Sequence, residues 1–278
     1  TLWLQTLPGA APEIADRLKA LFLKMQTEQA SLRDVARELN KMMLGQAARL
    51  PLEWQIAGGT DAGATHQHNQ DAYYPTPLEL VHDPTGGKIA IICDGIAGHE
   101  GGEVASQMAV KLLKIQTQTL FDELTNSQEI VSPEQICQMI GAIVRVVNTI
   151  TTENQSQGRE DLRRMGTTMV MAIQANQRIR SRNGVGNSHE IYIAHVGDSR
   201  AYWITPQRCQ LLTLDDDIAT REVKQGRDLP WHSANRPDAT ALTQALGIKL
   251  PELIKPTVQR FMAIEDGILL LCSDGLSN

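Results

Sequence analysis

Little in this sequence points toward a membrane, a nucleic acid or an oxidising compartment. No run approaches the roughly 18 apolar residues that a membrane-spanning helix needs, and no signal-peptide pattern opens the chain. Basic charge is in short supply. Lys and Arg number 26 against 32 Asp and Glu, a formal net charge of -6, so the molecule as a whole has no attraction for nucleic acid or anionic lipid. Its densest basic spots, Arg163 with Arg164 and the run from Arg178 to Arg182, read as solvated loops. Only four cysteines occur. None forms a CxxC pair, which argues against a zinc site. Cys93 and Cys272 sit inside apolar runs and read as buried free thiols, which fits a reducing cytoplasm. No GxGxxG follows the first strand, so a dinucleotide-binding fold is disfavoured.

What is present is apolar material, 42% of 278 residues, enough for one large domain with an extension. Ile14, Leu18, Leu21, Phe22 and Met25 form one helical stripe. Ser31 has the character of an N-cap with Asp34 three residues on, and Leu32, Val35, Ala36, Leu39 and Met43 form a second stripe before Pro51. Residues 1–50 are therefore expected to be a helical extension without visible chemistry. Residues 51–278 differ in character. Short β-type runs are expected at Trp54–Gly59, Lys88–Cys93, Thr167–Gln174, Glu190–Val196, Ser199–Thr205, Gln210–Leu214, Val258–Ile264 and Gly267–Cys272. Glu190 to Thr205 reads as a hairpin turning at Gly197-Asp198. Two amphipathic helices interrupt the strands. One runs through Val104, Met108 and Leu112; the other is capped by Ser132 with Pro133 and Gln135, and has its stripe on Ile136, Ile140, Ile143, Val147 and Ile150. Residues 184–188 and 225–238 read as loops, the latter as an exposed flap. Strands grouped around two helices imply a layered α+β domain.

Four aspartates stand at strand ends or in tight glycine turns: Asp71 in Asn69-Gln70-Asp71, Asp94 in Cys93-Asp94-Gly95, Asp198 in Gly197-Asp198-Ser199, and Asp274 in Ser273-Asp274-Gly275. A carboxylate just past a buried strand is costly unless something uses it. Hard divalent cations such as Mn²⁺ or Mg²⁺ want these oxygens. A following glycine lets the chain turn sharply and lets a backbone carbonyl approach a metal.

These residues resemble the metal-dependent serine/threonine protein phosphatases of type 2C in their bacterial form. The matching pieces run in order from Thr60-Asp61-Ala62-Gly63 and Asn69-Gln70-Asp71-Ala72, through Cys93-Asp94-Gly95-Ile96-Ala97-Gly98-His99 with Gly102-Glu103, to Met165-Gly166-Thr167-Thr168. They continue with Val196-Gly197-Asp198-Ser199-Arg200, Ala241-Leu242-Thr243-Gln244-Ala245-Leu246-Gly247 and Leu271-Cys272-Ser273-Asp274-Gly275-Leu276. The resemblance covers residues 54–278. It implies a four-layer α-β-β-α sandwich with two central antiparallel sheets and a binuclear metal centre at one edge. It further implies that Asp94 bridges two ions, that the Gly95 carbonyl binds one and Asp274 the other, that Asp71 acts near them directly or through water, and that Asp198 serves a third, weaker ion. The implied reaction is hydrolysis of phosphoserine and phosphothreonine on protein substrates by direct attack of water, with no phosphoenzyme.

Three departures bear on that expectation. His66 stands where relatives carry an arginine that clamps the substrate phosphate. An imidazole offers one contact and titrates near neutrality, so binding should weaken as pH rises above about 6.5. Gln70 stands where glutamate is common. The chain stops before the family's final Asp-Asn pair, and from its start at Thr1 and its stop at Asn278 it reads as a piece of a longer polypeptide whose closing segment lies beyond it. His99 either donates a proton to the leaving alkoxide or caps the helix near Glu103. Thr167, Thr168 and Arg200 are expected to be structural, and Asp215, Asp216 and Asp217 to form a solvated acidic turn. The alternative function is a phosphatase-like regulatory or phosphoprotein-binding module with little turnover.

Overall fold

The structure is a computed structural model that describes residues 12–27, 29–47, 52–63, 68–82, 88–96, 101–126, 130–156, 165–175, 177–181, 184–248, 250 and 252–277. The described elements begin with α1 (Pro12–Gln26), α2 (Leu32–Ala47), β1 (Asp71–Tyr74), α3 (Pro77–Leu80) and β2 (Ile89–Asp94). They continue with α4 (Gly102–Asn126), α5 (Pro133–Ser156), β3 (Met169–Ala175), β4 (Arg178–Ser181), β5 (Gly184–Asn187) and β6 (Glu190–Val196). The last are β7 (Arg200–Thr205), β8 (Arg208–Leu211), α6 (Ile218–Lys224), α7 (Pro230–Ser233), β9 (Thr257–Met262), β10 (Ile268–Cys272) and α8 (Asp274–Ser277). Two compact units emerge: Thr1–Leu52 with Arg178–Ser188, and Glu53–Gln177 with His189–Asn278. Among the described residues no helix is long and apolar enough to cross a membrane.

In the first unit, the Ser31 cap forms as its sequence implies. The Asp34 amide donates to Ser31 Oγ at 3.2 Å and the Ser31 amide donates to Asp34 Oδ2 at 3.2 Å, a reciprocal box with Asp in the usual Glu position. Val35 and Met42 are buried. The strands β4 and β5 pair antiparallel, so residues 178–181 and 184–187, both of which the sequence suggests are loops, are strands.

In the second unit a five-stranded antiparallel sheet has the order β1-β2-β3-β6-β9, and a three-stranded sheet the order β10-β7-β8. The helices α4 and α5 pack on each other, α4 also on β1 and β2, and α5 on β6 and β9. Strand alternation decides what each face carries. Ile89, Ile91 and Cys93 of β2, Met169, Met171 and Ile173 of β3, and Tyr192, Ala194 and Val196 of β6 join Leu113, Ile136, Ile140 and Val147 in one buried core. Each fully buried aliphatic there contributes about 1.5–3 kcal/mol. The opposite residues of β3 and β6, including Val170, Ala172, Ile191 and Ile193, are buried too, because that face meets the three-stranded sheet. There β10 touches β2 and β3, Trp203 and Phe261 stand with ring centroids 5.0 Å apart, and Gln259 Nε2 donates to the Leu212 carbonyl. The α+β sandwich with two antiparallel sheets expected from the sequence is thus what forms.

Two further local expectations fail. Glu190–Thr205 is not a hairpin: β6 pairs with β3 and β9, whereas β7 pairs with β10 and β8. Gly197-Asp198 carries the chain from one sheet to the other. Gly197 has φ +98°, and a Cβ there would lie 2.8 Å from the Thr168 side chain, so the crossover needs glycine. Residues 54–59 form no strand, and β1 starts instead at Asp71, where Tyr73 and Tyr74 supply β-favouring side chains.

Candidate active site

Alternation along β2 puts Cys93 into the helix-facing core and turns Asp94 to the other face. The Asp94 backbone is held from both sides. Its carbonyl accepts from Thr167 Oγ1 at 2.8 Å and from the Thr168 amide at 2.8 Å, and its amide donates to Thr168 Oγ1 at 3.3 Å. The next residue donates its amide to the Gln70 carbonyl at 3.2 Å. A Cβ on Gly95 would sit 2.3 Å from the Gly102 carbonyl oxygen, so glycine is what lets β2 end against the start of α4. Gly275, by contrast, has open space around its would-be Cβ.

Across the sheet, Asp71 lies directly opposite Asp94 in the antiparallel register of β1 and β2. Like charges so placed repel. The third carboxylate arrives from the other sheet: β10 ends at Cys272, Ser273 Oγ donates to Asp71 Oδ2 at 2.8 Å, and Asp274 begins α8 near enough for its charge to act on Asp94. Burial, then the charges of Asp71 and Asp274, push the Asp94 pKa up to about 8. Asp198, at the β6–β7 crossover, is pushed up to about 6 by burial and by Asp274. All four aspartates line one open cleft of about 970 Å³.

The four carboxylates singled out in the sequence therefore converge. Among the described residues no three of His, Cys, Asp and Glu already stand as a finished metal shell, although Asp71 and Asp274 both lie near enough to act on Asp94. The donor set nevertheless fits a cation. It consists of hard oxygens, and among the described residues lining the cleft there is no Lys or Arg to balance them. His66 and His99 lie outside the described residues. His68, which composition did not single out, also lines the cleft. Ser273 was also missed, for a hydroxyl beside Asp274 carries no signal until the sheets bring it to Asp71.

The acidic turn is not simply solvated. Asp215 grips Arg200, with Nη2 to Oδ2 at 2.7 Å. Asp216 Oδ2 accepts from the Gly197 amide at 3.0 Å and from Gln244 Nε2 at 2.7 Å. Asp217 caps α6 by accepting from the Thr220 amide at 2.6 Å. Arg200 is the structural ion pair its position suggests.

The family model described as protein phosphatase 2C matches residues 58–278. The chain belongs to the protein phosphatase 2C family. It is 30% identical over 219 residues to the serine/threonine phosphatase stp of Listeria monocytogenes, covering 79% of this chain and 76% of that protein. It is 27% identical over 231 residues to the serine/threonine protein phosphatase PstP of Mycobacterium tuberculosis, covering 83% of this chain and 38% of PstP. The crystal structure of the M. tuberculosis phosphatase PstP/Ppp superposes with a TM-score of 0.58 at 26% identity, over 79% of this chain and 77% of that one. A crystal structure of the PstP catalytic domain, in complex with two manganese ions, gives 0.54 at 26% identity, over 79% of this chain and 76% of that one. In this protein phosphatase 2C chain, the matched region contains Asp71, Asp94, Asp198 and Asp274.

Proposed function

We propose that this protein hydrolyses phosphoserine and phosphothreonine on phosphorylated proteins, using two divalent cations, Mn²⁺ or Mg²⁺, at the aspartate cleft. The observation that carries this reading is the convergence of Asp71, Asp94 and Asp274 from two sheets onto one cleft, whose described lining residues include no Lys or Arg. Asp94 would bridge the ions, the Gly95 carbonyl would bind one, Asp274 the other, and Asp71 would act beside them directly or through water. Asp198 would serve a third, weaker ion. When bound, such cations lower the pKa of a shared water and neutralise charge on the phosphoryl oxygens.

The chain's own residues do the rest. Thr167 and Thr168 hold the Asp94 backbone still, so its carboxyl is presented without reorganisation. Ser273 Oγ donates to Asp71 Oδ2, which fixes one oxygen of that cleft carboxyl in place. His66 is assigned the phosphate contact and His99 the proton to the leaving alkoxide. Residues 1–50 are assigned to a helical extension and 51–278 to the catalytic domain; the contact boundary at Leu52 supports that division, while Arg178–Ser188 groups with the first unit. All four cysteines are free, which supports a cytoplasmic setting.

The competing reading, a phosphoprotein-binding module with little turnover, draws on His66 in place of arginine and on the lack of Lys and Arg among the described lining residues. Hydrolysis of p-nitrophenyl phosphate decides between them. Mn²⁺-stimulated turnover that Asp94→Asn abolishes supports the enzyme; phosphopeptide binding without turnover at any Mn²⁺ concentration supports the module.

A further inference from the structure

We propose that Arg200 and Asp215 form a clasp that positions Asp274 and Asp198 for cation binding. The inference rests on the metal-centre reading above and concerns side chains that touch neither substrate nor ion.

The carboxylate of Asp274 sits on α8, a four-residue turn whose Asp274, Gly275 and Leu276 are exposed. Almost nothing apolar pins it. Its neighbours in the cleft are carboxyls, so no opposite charge there holds it against drifting outward. Two hydrogen bonds from other strands oppose that drift. One is Ser273 Oγ to Asp71 at the start of the turn. The other is Arg200 Nη1, which donates to the Ser277 carbonyl at 3.0 Å at the end of it.

Arg200 is well suited to this task. It faces Cys272 directly in the β7–β10 register. Its Nε donates to both Asp215 carboxyl oxygens at 3.0 Å, and Nη2 donates to Oδ2 at 2.7 Å. That leaves Nη1 aimed at α8. The pair is mostly shielded, with side-chain exposures of 23% and 10%. Asp215 is itself anchored. The preceding carbonyl, of Leu214, bonds His195 Nε2 at 2.8 Å, and the following amide, of Asp216, donates to the Gly197 carbonyl at 2.9 Å. One guanidinium thereby ties the crossover that carries Asp198 to the turn that carries Asp274. Only a planar fork holds both partners at once; an ammonium is a single point.

Groups that orient metal ligands typically govern affinity by 10–100-fold. The test is calorimetric titration of Mn²⁺ into the whole chain without substrate, paired with amide hydrogen exchange over residues 268–277 in EDTA. Arg200→Gln is expected to weaken Mn²⁺ binding by about tenfold or more and to speed exchange in α8, and Arg200→Lys to fall between it and wild type. Saturating Mn²⁺ should restore most of kcat with KM for p-nitrophenyl phosphate unchanged. Ser132→Ala, which loosens α5 far from the cleft, should lower thermal stability without changing Mn²⁺ affinity. Wild-type Mn²⁺ affinity or unchanged α8 exchange in folded Arg200→Gln overturns the clasp. If that variant does not fold, Asp215→Asn is read the same way. Failure of wild type itself to bind Mn²⁺ strikes the metal-centre reading instead, and the exchange measurement in EDTA then still decides the clasp.

Discussion

Two Asp-Gly pairs look equivalent in the chain, and the structure predicts that they respond oppositely to the same change. Gly95→Ala adds a Cβ 2.3 Å from the Gly102 carbonyl oxygen, 2.5 Å from its carbon and 2.8 Å from its Cα. An ordinary carbon–oxygen contact is about 3.3 Å, so backbone must move by about 1 Å. Every offending atom is main chain at the first turn of α4, and no flexible side chain can yield. Overpacking of this kind costs about 1–3 kcal/mol, and a backbone clash belongs at the upper end. At about 2–4 °C per kcal/mol for a domain of this size, Tm should fall by about 6–12 °C. The shift also displaces the Gly95 carbonyl and the Asp94 carboxyl, so Mn²⁺-dependent turnover should be lost. Gly275→Ala meets nothing within 4 Å and has an ordinary φ, so its stability should stay within about 0.5 kcal/mol of wild type. Thermal unfolding of both variants, followed by circular dichroism in EDTA, makes the comparison. A Gly95→Ala protein within about 2 °C of wild type, or a Gly275→Ala protein that loses as much as Gly95→Ala, would refute the reasoning.

Other outcomes follow from the same geometry. Asp94 has its pKa raised to about 8, so the metal-free folded state holds a proton that the unfolded chain releases near pH 4. Stability in EDTA should therefore decline as pH rises from about 4 to about 8, and Asp94→Asn should flatten that decline while cutting turnover more than about a hundredfold. Glu79 responds the other way. Burial raises its pKa, but hydrogen bonds from Lys114 and Thr76 outweigh this and hold it below its usual value. Its contribution is thus present at neutral pH and lost on acidification through the folded pKa, and Glu79→Gln should destabilise at pH 7 with the effect shrinking as pH falls through that pKa, as urea unfolding would read. Ser132→Ala removes the acceptor for the Gln135 amide, 3.2 Å away, and should cost about 1 kcal/mol. His66→Arg should lower the Michaelis constant for phosphopeptide; an unchanged value assigns the phosphate contact elsewhere.

Much of the fold was legible because burial periodicity is local. The β2, β3, β6 and β10 runs and the α5 stripe are written in apolar spacing, and the Ser31 and Ser132 caps in residue type. Errors arose where pairing is not local. Glu190–Thr205 has hairpin chemistry, yet its two arms join different sheets because the 214–216 segment clamps the Gly197 crossover. Asp215, Asp216 and Asp217 look like a solvated run because their partners, Arg200, Gly197 and Thr220, appear only when β6, β7 and α6 are assembled.

Sequence alone singled out four carboxylates, because an acid at a strand end or in a tight glycine turn sits near an apolar interior and needs a partner. Tertiary structure decided that they meet. Asp71 and Ser273 are 202 positions apart, and only antiparallel register and the stacking of two sheets bring them within hydrogen-bonding distance. The same packing separates Gly95, which touches main chain, from Gly275, which touches nothing, a difference of spatial neighbours that residue type cannot encode.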